Sequence, residues 1–413
     1  MQRRRIAGVA LTTMLITAIS VSGVRAAPRV GAATTGRYIV VLNDSVTAPE
    51  AVAAEHTRTQ GARIRHVYRS ALKGYSATLS ADRLTALRAD PRVAYLAADR
   101  PVHTTGQVLP TGIDRVDAEQ SSTRSGDGKG RVDVDVAVLD SGIDIDHPDL
   151  RVAGGVNCVG GSSFDDDFIH GTHVAGTIAA KDNHIGVVGV APGARLWAVK
   201  VVDNTGTGTV ESVMCGVDWV TAHRSRIEVA NMSLTGEGAE PPEQGCTTSD
   251  PFHDAVCRSV QAGVTYAVAA GNDASNARSF APASYNEVIT VSALADFDGK
   301  PGGKTPGRTC LPPRVRDRDD TLADFSNFGR DIDLIAPGVC ILSTVPGGGY
   351  LRADGTSMAS PHVAGAAALY KASHPHASPL QVKRALQRAG SLNWNDADDP
   401  DGIEEKLVNV DAF

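Results

Sequence analysis

From about residue 130 onward the chain alternates short apolar runs with polar, glycine-rich stretches. The runs are Val134 to Leu139, Val199 to Val202, Val229 to Met232, Val264 to Ala269, Val288 to Val291 and Ile332 to Ile335. A short run with little polar alternation suits a strand buried on both faces, as in a parallel sheet covered by helices. Helical stretches or loops lie between the runs. The order predicts an α/β fold with a doubly wound, mostly parallel sheet and a site at the carboxyl ends of its strands.

Ahead of that block the pattern is finer. Tyr38 to Leu42 reads as a strand, Pro49 to Gln60 as a helix and Tyr75 to Leu79 as an alternating strand. Ser80 caps a second helix carrying Leu84 and Leu87, Pro91 stops it, and Val93 to Leu96 forms a last strand. Strands and helices in this order predict a small α+β unit of the split β-α-β, ferredoxin-like kind.

The first residues follow neither pattern. Arg3-Arg4-Arg5 precede a polar-spotted apolar stretch from Ile6 to Val21, and small residues follow at Val24 and Ala26. This reads as a secretory signal peptide over residues 1–26, too short and too polar to anchor in a membrane. The rest of the chain is expected outside the cell, without a membrane anchor. Six cysteines in an exported chain favour disulfides, and none stands in a C-x-x-C pair. Sequential pairing is expected: Cys158 with Cys215, Cys246 with Cys257 and Cys310 with Cys340. For Cys215, within a helical stretch, a free buried thiol is the competing reading. The net charge of −7 over 413 residues comes with no basic stripe, which argues against nucleic acid as a partner.

Three segments carry candidate chemistry: Val138-Leu139-Asp140-Ser141-Gly142, His170-Gly171-Thr172-His173-Val174-Ala175-Gly176 and Gly355-Thr356-Ser357-Met358-Ala359-Ser360-Pro361. Serine is a weak nucleophile at neutral pH and needs a base to take its proton, for which histidine is suited. A buried carboxylate on the other ring nitrogen fixes the imidazole tautomer and stabilises the imidazolium formed during attack. The segments supply these groups in the order Asp140, His170, Ser357, which differs from the chymotrypsin order and from that of hydrolases built on a G-x-S-x-G elbow.

Asp140-Ser141-Gly142-Ile143-Asp144, with His147-Pro148-Asp149-Leu150 after it, resembles the subtilisin-like serine proteases, and most nearly their proteinase K and aqualysin branch. The resemblance covers nearly the whole chain. It implies that the base is the first histidine of His170-Gly171-Thr172-His173, that Ser357 is the nucleophile, and that Asn272 in Ala269-Ala270-Gly271-Asn272 supplies an oxyanion donor beside the Ser357 amide. It further implies that Gly206 and Gly208, with Ser233, Leu234 and Thr235, pair with a peptide substrate as edge segments. Three positions depart from the family pattern: Ile169 and Thr235 stand where glycine is usual, and Val174 where the branch often has cysteine. The resemblance also implies calcium as a structural ion, held by Asp333 and the carbonyls of Asn286 and Val288, with no cofactor needed for the chemistry. The acidic run Asp396, Asp398, Asp399, Asp401 is a second candidate for calcium, but it lacks EF-hand spacing and reads rather as a solvated loop. The stretch from Phe297 to Thr321 reads as an inserted surface loop tied down by Cys340, with a functional lid as the competing reading.

The expectation is a secreted serine endopeptidase acting on peptides and proteins through an acyl-enzyme. It is expected to be a monomer, made as a precursor with signal 1–26, inhibitory propeptide 27–103 and enzyme 104–413. The precursor is expected to cut itself near His103 and Thr104, with a margin toward Gln107. The rival readings are an inactive binding protein of the same fold and a secreted esterase.

Overall fold

A computed structural model describes residues 35–99, 106–307 and 317–413. The expected signal peptide, Cys310 and the expected cut at His103 and Thr104 lie outside these residues. The chain divides into two compact units, 1–103 and 104–413.

The first unit runs β1 (Thr35–Leu42), α1 (Pro49–Gln60), β2 (Arg63–Tyr68), β3 (Gly74–Ser80), α2 (Ala81–Arg88) and β4 (Val93–Ala98). Its sheet has the order β2-β3-β1-β4 and is antiparallel throughout. This is the ferredoxin-like arrangement expected, with one strand more than the pattern predicted. β2 escaped notice because its sequence Arg-Ile-Arg-His-Val-Tyr is largely exposed at a sheet edge and lacks an apolar face. Val40, Leu42, Val52, Tyr75, Leu79 and Leu87 form the core.

In the second unit a short helix, α3 (Thr111–Arg115), precedes β5 (Asp135–Asp140), β6 (Val152–Asn157), α4 (His170–Ala179), β7 (Arg195–Lys200), α5 (Val210–Ala222) and β8 (Ile227–Met232). Then follow β9 (Gly236–Glu237), α6 (Pro251–Gln261), β10 (Thr265–Ala269), β11 (Phe280–Ala281), β12 (Ile289–Ala295), β13 (Thr321–Leu322), β14 (Leu334–Pro337) and a hairpin of β15 (Ile341–Val345) with β16 (Gly349–Ala353). Two α-helices follow, α7 (Thr356–Ser373) and α8 (Pro379–Ala389), and then a short 3-10 turn at Asp396–Asp398.

The main sheet has the order β13-β12-β10-β8-β5-β7-β6, with β14 also paired to β12. Its pairings are parallel except β12 with β13. Burial on both faces is visible along β5. Val136 and Val138 pack with Val174, Ile178 and Val363 on one side, while Ala137 and Leu139 pack with Val213, Val217 and Val256 on the other. Central strands therefore read as apolar runs. The edge strand β6, Val-Ala-Gly-Gly-Val-Asn, and the β15–β16 hairpin do not, and the sequence pattern missed them.

Cys158–Cys215 and Cys246–Cys257 are bonded as expected, with Cα separations of 6.0 and 5.3 Å. Cys340 is not free, and its expected partner lies outside the described residues. The described ends of the 297–321 stretch depart from a surface loop: Phe297, Asp317, Asp319 and Asp320 are buried. The Arg115 guanidinium pairs at 2.8 Å with both Asp320 and the neighbouring Asp296. Among the described residues no helix is long and apolar enough to cross a membrane.

Candidate active site

β5 ends at Asp140, α4 begins at His170 and α7 carries Ser357 in its first turn. Asp140 is 2% exposed, and both its carboxylate oxygens lie within reach of His170 Nδ1, at 2.8 and 2.9 Å. The Ser141 amide also donates to Asp140 Oδ1 at 2.7 Å. With Nδ1 donating to the carboxylate, the other ring nitrogen is left as a proton acceptor. Burial opposes protonation of His170, but the Asp140 charge and hydrogen bond, with Asp166 adding to them, outweigh it and raise the imidazole above its ordinary pKa.

Asp166 is a residue the motifs did not mark. It is buried and accepts from Ser141 Oγ, the Phe168 and Ile169 amides, and both the amide and hydroxyl of Thr172. It satisfies amides at the start of α4 that no intrahelical carbonyl reaches, and so fixes where His170 begins the helix. The residue before His170 is held in an unusual conformation. Ile169 has φ +125° and ψ −27°, a region that favours glycine and penalises a β-branched side chain.

Ser357 Oγ donates to the Ser233 carbonyl at 3.1 Å, while Ser233 Oγ donates to the Ser357 carbonyl at 2.8 Å. Beneath them Asn231 donates to Ser233 Oγ at 2.9 Å and accepts from Ser360 Oγ at 2.6 Å. Asn231 and Ser360 are fully buried, and this network ties the first turn of α7 to the end of β8. Sequence reasoning passed over both, because a buried Asn in a strand carries no motif.

Asn272 Oδ1 accepts from the amide and hydroxyl of Thr356, at 2.8 and 3.0 Å, which leaves its Nδ2 free to donate elsewhere. A methyl group built on Gly355 would stand 3.6 Å from the Ser357 amide nitrogen and 3.7 Å from Asn272 Nδ2. Both donors therefore border one small space, the arrangement an oxyanion requires. Buried Asn327 shapes the turn that presents Asn272. It donates to the Ala270 carbonyl and accepts from the Asp273 and Ser275 amides.

The five expected substrate-contacting residues are brought together. Gly206, Leu234 and Thr235 line both a cavity of about 220 Å³, which includes Gly208, and an adjoining one of about 200 Å³ that holds Asp140, His170 and Ser233. Val202, Val213, Leu234 and Phe252 make the first cavity largely apolar. A larger cavity near residues 301–307 and 392–395 contains none of the site residues.

The calcium expectation at Asp333 needs correction. Asp333, Asn286 and Val288 do converge, but on the ammonium of Lys383, which lies 2.8 Å from Asp333 Oδ2, 3.1 Å from the Asn286 carbonyl and 2.7 Å from the Val288 carbonyl. Asp333 also accepts from Gln387 Nε2 and the Thr290 amide. A cation built into α8 takes the place assigned to the ion, and the donor set does not fit calcium while Lys383 is there. Nothing in the motifs links Lys383 to Asp333, because α8 meets that loop only in three dimensions. His173 and His362 are buried and bond to backbone carbonyls, the first to Ile341 and Leu351 and the second to Met358; burial lowers each to about 4.

Comparison with known proteins agrees with this architecture. The profile of the Subtilase family matches residues 131–404, and that of Peptidase inhibitor I9 matches residues 37–105. Subtilisin E of Bacillus subtilis (strain 168) is 35% identical over 392 residues, covering 94% of this chain and 93% of the relative. An alkaline protease of Shouchella clausii is 39% identical over 317 residues, covering 76% and 73%. The crystal structure of a cold adapted subtilisin-like serine proteinase superposes with a TM-score of 0.56 at 30% identity, covering 73% of this chain and 97% of that one. These matches speak for the family and not for its proteinase K branch.

Proposed function

The chain belongs to the subtilase family, a serine endopeptidase preceded by an inhibitor-type propeptide, and we propose that Asp140, His170 and Ser357 carry its peptide hydrolysis. The observation that supports this most is the pairing of His170 Nδ1 with the buried Asp140 carboxylate. Ser357 Oγ attacks the scissile carbonyl while His170 takes its proton. The oxyanion forms between the Ser357 amide and Asn272 Nδ2. His170 then protonates the departing amine, and water enters by the reverse path to release the acyl group. Losing one oxyanion donor costs roughly 10²- to 10³-fold in rate, a magnitude known from a subtilisin, a relative of this chain.

Gly206 and Gly208 on one side and Ser233 to Thr235 on the other pair with an extended peptide, whose apolar side chain enters the cavity bordered by Val202, Val213, Leu234 and Phe252. Thr235 narrows that cavity relative to glycine, so side chains of moderate size are preferred.

The precursor comprises a signal peptide (1–26), a propeptide (27–103) and the enzyme (104–413), is exported without a membrane anchor, and yields a monomer. The division of the chain into two units supports this boundary. Gln107 Nε2 donates to the Lys181 and Val187 carbonyls and the Val108 amide to Gly186, contacts that support a cut upstream of Gln107.

The test is to make wild type and Ser357→Ala in a protease-free host. Wild type is expected to yield propeptide and enzyme fragments and to digest casein. The variant should accumulate uncut and inactive. Normal processing of the variant would mean an external processing enzyme, and casein digestion by it would remove Ser357 as nucleophile. Hydrolysis of simple esters without cleavage of denatured protein would favour the esterase reading.

A further inference from the structure

We propose that Lys200 is a positioning residue for the hydrolysis, a buried ammonium that locks together the two segments supplying Asp140 and His170; this rests on the reading of the triad given above. Lys200 ends β7 and stands opposite Asp140, the last residue of β5, in the parallel register of the two strands. It is 3% exposed. Its Nζ donates to the Ser141 carbonyl at 2.5 Å and to Asp167 Oδ1 at 2.6 Å.

Ser141 is the joint between acid and base. Its amide donates to Asp140 Oδ1 at 2.7 Å, while its hydroxyl donates to Asp166 Oδ1 at 2.9 Å and accepts from the amide of Gly171, the residue after His170, at 3.0 Å. Asp166 in turn accepts from the Ile169 and Thr172 amides on either side of His170. Lys200 grips this joint twice, through the carbonyl of Ser141 and through Asp167, the chain neighbour of Asp166. Without the ammonium nothing but the Ser141 amide and hydroxyl would set the carboxylate of Asp140 against the start of α4 along this path.

An ammonium taken out of water is costly, and an apolar side chain of similar length would avoid that cost. The surroundings show what the charge offsets. Lys200 borders a cavity of about 530 Å³ together with Asp165, Asp166, Asp167 and Asp203, and among the described residues no second cation lines it. The titratable groups packed about the joint are Asp140 and Asp144 at the end of β5, these three aspartates before α4, Asp203 beyond β7, and His170 and His173 on α4. Burial disfavours the His170 imidazolium, while Asp140 and then Asp166 favour it and prevail. Lys200 opposes those carboxylates, so its charge keeps the histidine nearer the neutral form that accepts a proton.

The test compares wild type, Lys200→Met and Lys200→Arg by kcat and KM on one peptide anilide and by the pH profile of kcat/KM, with melting followed in the same chains carrying Ser357→Ala. Lys200→Met is expected to lower kcat about 10-fold or more, since a misplacement of about 1 Å costs about 10²-fold, while KM stays within about twofold. Its acid limb should move upward by about half a pH unit, because a cation near the imidazole is gone. Lys200→Arg keeps the charge, and should bring the limb back toward wild type and recover part of kcat. Asp167→Asn, at an exposed side chain, covers the case of a methionine variant that does not fold. It frees one hold on the ammonium and removes one carboxylate, so kcat should fall and the limb should move downward. A Lys200→Met chain that melts lower yet keeps the wild-type kcat and limb would make the lysine merely structural and overturn the proposal. So would an arginine variant whose limb moves as far as that of the methionine variant, or unchanged kcat and limb in Asp167→Asn. A wild type that hydrolyses no peptide would overturn the triad reading itself, and the proposal with it.

Discussion

At the scale of single residues, burial makes His170 harder to protonate, yet the charge and hydrogen bond of Asp140 more than reverse this. A raised folded-state pKa favours the imidazolium in the native protein. The stability it contributes is fully present below the unfolded value, about 6.5, and is lost as pH rises through the higher folded value. Catalysis needs the opposite state, the neutral base. The acid limb of kcat/KM should therefore have its midpoint above about 6.5, and Asp140→Asn should move the limb downward as well as lowering the rate. A limb at or below the ordinary histidine value in wild type would contradict the pairing. Ile169 makes a second prediction. Its φ of +125° costs about 1–3 kcal/mol, and with Ile169 45% exposed little packing is lost on truncation. Glycine's greater unfolded-state entropy takes back about 0.5–1 kcal/mol. Ile169→Gly, made alongside Ser357→Ala, should melt higher than its parent. A lower melting temperature would show that the isoleucine side chain, not the backbone, governs this position.

At the scale of elements, the strands that were legible are those buried on both faces. The β5, β8 and β10 patterns came close to their observed ends because both sides of each strand meet apolar neighbours. β7 begins earlier than its pattern suggests, because Val199, Val201 and Val202 form the more obvious apolar run while the observed strand starts at the charged Arg195. Edge strands β2 and β6 were invisible because one side of each is polar or glycine. The residues proposed for catalysis could be read because each lies in a contiguous motif. Their supports could not: Asp166, Asn231, Asn327 and Ser360 act through contacts that only the folded chain creates. Lys383 belongs to the same class, and it carries an element-scale prediction. Removing the ammonium leaves Asp333 nearly buried, with its charge unpaired beside two carbonyls. Lys383→Met should cost about 3–5 kcal/mol, as for a broken buried pair, and calcium should restore part of it where the parent shows no response at this site. Equal melting of variant and parent in EDTA would show that the lysine is not a structural cation.

At the scale of the whole molecule, the order Asp140, His170, Ser357 and a chain that splits into two units point to one cycle: a precursor that cuts itself, then hydrolyses other peptides through the same serine. The Cys158–Cys215 and Cys246–Cys257 bridges brace the face carrying α5 and α6. The account stands or falls on Ser357 being a nucleophile made reactive by His170. The most direct measurement is stoichiometric reaction of the mature enzyme with a fluorophosphonate serine probe, followed by mapping of the adduct by mass spectrometry. The account predicts one adduct per chain, on Ser357, formed in step with the loss of caseinolytic activity and abolished by His170→Ala. An inactivating adduct on another residue, or full labelling of Ser357 in the His170→Ala chain, would contradict it.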